Sequence, residues 1–267
     1  MLETMIGFFV SGFVYTNATP TVLLCGIGLG IVFSVFWLTG YWPPLFRRHW
    51  LWAVLAGGAF LSWVAIALVQ IPLQALTGQA LGYFWRQETL MRWLLLAGIP
   101  QILLSGLVQE GSKLVPVVIY WWRSGKVVNS REGLVIGAVS GAGLGTFEAV
   151  WVLNTAFASG WNWQIVSIAG ILAFAPFWER FFTAAFHIGV SALAGYGWYK
   201  GSGWQFYLIA AFLHGALNYG VVLLTSGIMD AIRLEIYVAV IAVMVTAVAL
   251  WLRWKMDIKS STKNPAS

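Results

Sequence analysis

Residues 107 to 113 read LVQEGSK, and they lie in a run, Trp93 to Trp122, whose only formal charges are Glu110 and Lys113. As a helix rising ~1.5 Å per residue, that run is longer than the ~30 Å hydrocarbon core of a bilayer. Both charges therefore fall within the membrane. Each costs ~2.5 to 3.5 kcal/mol there on insertion scales, so such groups persist where they face a protein interior, a wet cavity or a partner. The i,i+3 spacing places Glu110 and Lys113 on one helix face, close enough to offset each other. The pair predicts a buried polar chamber at mid-bilayer.

Composition extends this reading to the whole chain. Hydrophobic residues make up 60% and charged residues 9%, with a mean hydropathy of +0.81, whereas soluble domains carry ~25% charge. The fold class is all-α: a polytopic transmembrane helical bundle of about seven or eight membrane helices. A length of 267 residues with no linker or low-complexity tract is read as one integral-membrane domain, 1–267. The single Cys25 has no partner for a disulfide and is expected to be a small core residue. The net charge of +6 comes from short loops and the tail, which fits positive-inside topology rather than nucleic acid.

The spans follow from the apolar runs. Residues 5–15 are short and form an interfacial or partial helix. Pro20 to Leu38 is the first crossing and ends before Arg47 and Arg48; Leu51 to Ile71 is the second. Pro72 to Met91, with Tyr83, Phe84, Trp85, Arg86 and Glu88, is expected to be an amphipathic helix on the outer surface. Trp93 to Trp122, Leu134 to Phe157, and residues 179–199, 203–224 and 235–254 complete seven crossings, while Trp163 to Phe177 is expected to be interfacial or re-entrant. That arrangement puts ten Lys/Arg inside, four outside (Arg86, Arg92, Arg180, Arg233) and Lys113 in the bilayer, accounting for all 15. It puts the C-terminal tail in the cytoplasm, and the expected location is a prokaryotic plasma membrane.

Other polar residues recur at membrane depth. Glu148 follows Gly137, Gly141 and Gly145, small residues at a spacing that lets another helix approach closely. His187 lies about two turns into its helix; His214 and Asn218 share one face at i,i+4. Any one of these alone could be a packing partner. Two carboxylates, two histidines and an asparagine nevertheless outnumber the single cation, Lys113. Peptide hydrolysis in a membrane needs a base for water, donors for an oxyanion and a cavity that admits water, and these residues supply them. Glu110, Glu148, His187 and His214 could equally bind zinc. There is no HExxH, no GxSxG and no pair of intramembrane aspartates.

The order of motifs resembles a known family. QEGSK at 109–113, GLGTFEAVW at 143–151, ERFFTAAFHIGVSALAGYG at 179–197 and FLHGALNYG at 212–220 are similar to the successive motifs of the PrsW-type intramembrane proteases. That family is grouped with the CAAX prenyl endopeptidase and bacteriocin-processing (CPBP) superfamily and neighbours the YhfC group. The resemblance covers about residues 93–224. It implies cleavage of a membrane-anchored protein or peptide substrate, with Glu110, Glu148, His187, His214 and Asn218 at the family's functional positions. The family's first motif begins with two adjacent glutamates, and Gln109 takes the place of the first.

On this reading Glu110 is the general base, His187 co-activates the water, and His214 with Asn218 donates to the oxyanion. Lys113 balances the charge of Glu110, and Glu148 orients a histidine or shares a proton. Whether zinc takes part stays open, because the family is named as metalloproteases while a metal-free glutamate/histidine route is also proposed for relatives. Two other classes remain: a non-catalytic scaffold or substrate-binding protein, motivated by Gln109, and a proton-coupled transporter, motivated by the buried titratable groups.

Overall fold

The computed structural model describes residues 19–125 and 129–263, with side chains as far as 255. The expectations for residues 5–15 and for the side chains of Lys126, Lys259 and Lys263 fall outside the described residues.

The chain is helical throughout: α1 (Pro20–Thr39), α2 (Trp50–Ala65), α3 (Ile71–Phe84), α4 (Gln87–Arg92), α5 (Leu94–Ala97), α6 (Ile99–Arg123), α7 (Ser130–Ala158), α8 (Trp163–Ala169), α9 (Ala175–Tyr199), α10 (Gly203–Thr225) and α11 (Ala231–Lys263). Among the described residues there is no strand, and seven helical stretches are long and apolar enough to cross a membrane. The expected all-α polytopic bundle is the observed one.

The α7 helix is the central post, packed on α1, α2, α6 and α9. Its small residues explain why. A methyl added to Gly137 would overlap the Ser191 carbonyl of α9, and one on Gly141 would overlap the His187 carbonyl. With side chains at these positions the two helices could not approach to backbone contact, which is the usual role of small-xxx-small stripes in membranes. The glycine stripe thus fixes the height and rotation of His187. In the same way Gly106 of α6 lies against the Ala211 carbonyl of α10, so that Glu110, one turn further along α6, faces His214.

Three expectations need correction. Residues 72–91 are not a separate surface helix: the chain runs from α2 through a π-helical turn, Ile66–Gln70, directly into α3. Gln74 of α3 and Gln101 of α6 exchange hydrogen bonds with each other's backbone carbonyls at 2.8 and 2.9 Å, which ties α3 to the bundle. The run from Trp93 to Trp122 is not one helix either. It breaks at Trp93 and Gly98, leaving α5 as a single turn before α6. The segment 163–177, expected to be interfacial or re-entrant, forms α8 and a 3-10 turn at Gly170–Phe174 that lead into α9. Gly170 has φ +59°, a left-handed conformation that glycine adopts without strain and that ends α8 there. Cys25 is exposed, because α1 turns Gly26, Gly30, Ser34 and Leu38 inward and a lipid-facing thiol has no need of a protein partner.

Candidate functional site

The polar residues of four spans meet. Lys113 Nζ donates to Glu110 Oε1 at 2.6 Å, and His214 Nδ1 lies 2.6 Å from the same oxygen. The other side of Lys113 contacts His187 Nδ1 at 3.2 Å, and His187 Nε2 reaches Glu148 Oε2 at 3.0 Å. Arg180 Nη1 stands 3.6 Å from that Glu148 oxygen and is ion-paired through Nη2 with Glu179. A continuous line of charged and imidazole groups therefore runs from Glu179, near the start of α9, through Arg180, Glu148, His187, Lys113 and Glu110 to His214.

The fold holds this line at both levels. Ser140 of α7 donates to the Lys113 carbonyl at 2.7 Å, pinning α6 to α7 beside the ammonium. Glu110, Lys113, His187 and His214 are all buried, and the two imidazole centroids are 5.2 Å apart. An ammonium has only hydrogens to offer, so His187 Nδ1 accepts from Lys113 and its proton sits on Nε2, donated to Glu148. With Glu110 as a carboxylate, His214 donates from Nδ1 and carries its lone pair on Nε2.

A cavity of about 70 Å³ adjoins this line, and its wall includes Gln109, Glu148, Arg180, His187, His214 and Asn218. Neither Glu110 nor Lys113 belongs to the wall. They stand behind His187 and His214, a layering that residue spacing could not reveal. Asn218 Nδ2 donates to Ser105 Oγ at 2.8 Å, which uses one of its two amide hydrogens. Gln109 is held from the opposite side: its Nε2 donates to Gln70 Oε1 at 3.1 Å, and its own Oε1 is buried without a hydrogen-bond partner.

Of the residues expected from sequence, Glu110, Lys113, Glu148, His187 and His214 form one connected set. Asn218 and Gln109 share the cavity wall but are anchored elsewhere. Three participants were missed. Arg180, counted by topology among the four charges on the outer side, lies seven residues before His187, which puts both on one face of α9. Ser105 and Gln70 carried no signal of their own, since each is defined by a partner far along the chain.

A metal fits the donor set in part. One donor atom each from Glu110, His187 and His214 lie within 4.8 Å of one another, which is the two-histidine, one-carboxylate combination common in catalytic zinc sites. Glu110 Oε2 is buried and accepts no hydrogen bond. Lys113, however, already occupies the space between Glu110 and His187, so a bound cation would have to displace the ammonium from one of them.

The model of a protein family, PrsW family intramembrane metalloprotease, matches residues 47–250. No curated protein and no solved structure matches the chain.

Proposed function

The chain belongs to the PrsW family of intramembrane metalloproteases, and from that premise we propose that it hydrolyses a peptide bond in or beside a membrane segment of a protein substrate, using water activated by the Glu110–His214 pair. The observation that carries this reading is the line of groups from four helices, Glu148 to His187 to Lys113 to Glu110 to His214, that ends at a small polar cavity. The order of its motifs also supports a place beside the CPBP and YhfC groups.

In the proposed mechanism a water in the cavity loses its proton to His214 Nε2 while Glu110 holds the opposite ring nitrogen and balances the imidazolium. Glu110 thus remains the source of basicity, but it acts through His214 because it does not line the cavity itself. The oxygen attacks the substrate carbonyl, and the second amide hydrogen of Asn218 donates to the resulting oxyanion. His214 then returns the proton to the leaving amine. Glu148, backed by Arg180, keeps His187 in one tautomer and orientation. Lys113 neutralises Glu110 and joins the two halves of the line. Glu110, His187 and His214 are also the residues that would hold a divalent metal, whose contribution would be to polarise the carbonyl and acidify the water.

A non-catalytic reading has one specific feature in its favour, the amide of Gln109 where the family motif has a carboxylate. One experiment separates the two. Wild-type protein and the Glu110→Gln variant are placed in liposomes with a panel of membrane-anchored peptides, and elemental analysis is run on the same samples. Cleavage by the wild type and none by the variant supports hydrolysis; equal cleavage by both excludes the assigned base. The C-terminal tail is proposed to be cytoplasmic on the strength of the basic loops.

A further inference from the structure

Gln109 stands in the wall of the site cavity and has no part in the mechanism above. It is 5% exposed, and its Nε2 donates to Gln70 Oε1 at 3.1 Å. Among the described residues, its Oε1 is the one buried acceptor of that wall without a hydrogen-bond partner. Gln70, its anchor, is the last residue of the π-helical turn Ile66–Gln70, and such local widenings of a helix often mark functional positions. A buried amide carbonyl left without a donor is costly. That cost sets Gln109 apart from Gln74 and Gln101, whose amides are used against each other's backbone.

We propose that Gln109 is a substrate-binding residue, its Oε1 accepting a backbone N–H from an unwound, extended segment of the peptide in the cavity. This rests on the reading that the cavity takes a peptide. A peptide bond within a helix has its carbonyl hydrogen-bonded along the axis, so a membrane segment must unwind before water can attack it. Every N–H and C=O freed in this way needs a new partner, because lipid offers none. An extended chain turns the N–H and C=O of one residue to the same edge. The protein facing that edge therefore has to offer both an acceptor and a donor.

The two are held along α6. Asn218 Nδ2, tied to Ser105 Oγ at 2.8 Å, brings the donor. Gln109 lies four residues beyond Ser105 on the same face of α6, so the acceptor comes one helical turn, ~5.4 Å, from that anchor. The wall already carries the carboxylates of Glu148 and Glu179. A neutral amide adds an acceptor there without adding a third negative charge, and it does not compete with them for a proton.

The probe is a lauroyl-capped peptide of alternating leucine and alanine, mixed with the full chain in liposomes. A set of copies carries an ester oxygen in place of one backbone N–H at a time. Binding is read on ice from a fluorophore on the peptide, and cleavage by mass spectrometry of the same sample. For the wild type, one ester position should weaken binding about five-fold, the usual scale of one hydrogen bond. Gln109→Met should weaken binding of the parent peptide by the same factor and be indifferent to that ester. Gln109→Glu, which keeps an accepting oxygen, should restore the difference, and Gln74→Ala, outside the cavity wall, should bind like the wild type. If Gln109→Met does not fold, isotope-labelled glutamine in the wild type gives a second readout. A side-chain carbonyl band should then move to lower frequency with the parent peptide and stay in place with the ester. Ester sensitivity that persists in Gln109→Met, a wild type indifferent to every ester, or no binding of any probe would each overturn the proposal. Coupling between Gln109 and one N–H without any cleavage would support the subsite and count against hydrolysis; cleavage without that coupling would do the reverse.

Discussion

Helix α6 has two polar flanks, and they behave differently. One presents Glu110 and Lys113 to α9 and α10; the neighbouring one presents Gln101, Gln109 and Ser112 to α2, α3 and the π-helical turn. On the second flank the groups pair with their own kind or with backbone: Gln101 with Gln74, Gln109 with Gln70, and Ser112 with Ser62 at 2.9 Å. These are neutral hydrogen bonds of the sort that join membrane helices, worth ~0.6 kcal/mol on average. On the first flank the groups are ionisable, linked in a line and next to a cavity, and Glu110 keeps one oxygen without a partner. Membrane-depth polarity therefore does not by itself mark a reactive site. What separates the two flanks is ionisable charge linked from helix to helix and ending at histidines that line a cavity.

The contrast can be broken most severely at Glu110. Glu110→Gln should abolish peptide cleavage, a loss of at least about 10³-fold, but it also leaves Lys113 buried without its counter-charge, a change that typically costs ~3 to 5 kcal/mol. Pairing it with Lys113→Met removes both charges. The double variant should recover much of the thermal stability in a melting assay while remaining inactive, and restored cleavage would show that the charges serve only packing.

Asn218→Ala should come next, lowering kcat by ~10² to 10³-fold as expected for loss of an oxyanion donor, with KM little changed. An effect on KM alone would move Asn218 from the reaction to substrate binding. Glu148→Gln tests the orienting role and should reduce activity about 10 to 100-fold. Because the amide keeps a carbonyl that can accept from His187, it should act more gently than Glu148→Ala.

The smallest effect sharpens the comparison from the other flank. Gln74→Ala, made together with Gln101→Ala, should lower stability by about 1 kcal/mol in denaturant titration and leave cleavage kinetics unaltered. A large loss of activity there would mean that the amide flank takes part in catalysis after all.

The same contrast shows where sequence reading reached its limit. Glu110 and Lys113 were conspicuous because a charge in an apolar run is improbable, and His187, His214 and Glu148 stood out for the same reason. Gln70, Ser105 and Gln109 are less costly in a membrane, so their pairing was invisible until the π-helical turn, α6 and α10 were seen side by side. Arg180 was legible only as a charge on the outer side, since its distance from Glu148 depends on how α7 and α9 are rotated. Residues 72–91 misled through their interfacial composition, which a helix that packs along α6 by two reciprocal amide bonds can equally carry.

Sequence alone determined that this chain crosses a membrane several times as helices and which few side chains are too costly there to be idle. Both conclusions follow from transfer free energies, which depend on residue type and run length. The tertiary structure alone decided that Glu110 and Lys113 stand behind His187 and His214, and that Arg180 joins them. Those relations depend on helix rotation and separation, which are fixed where Gly141 and Gly106 let one backbone rest on another.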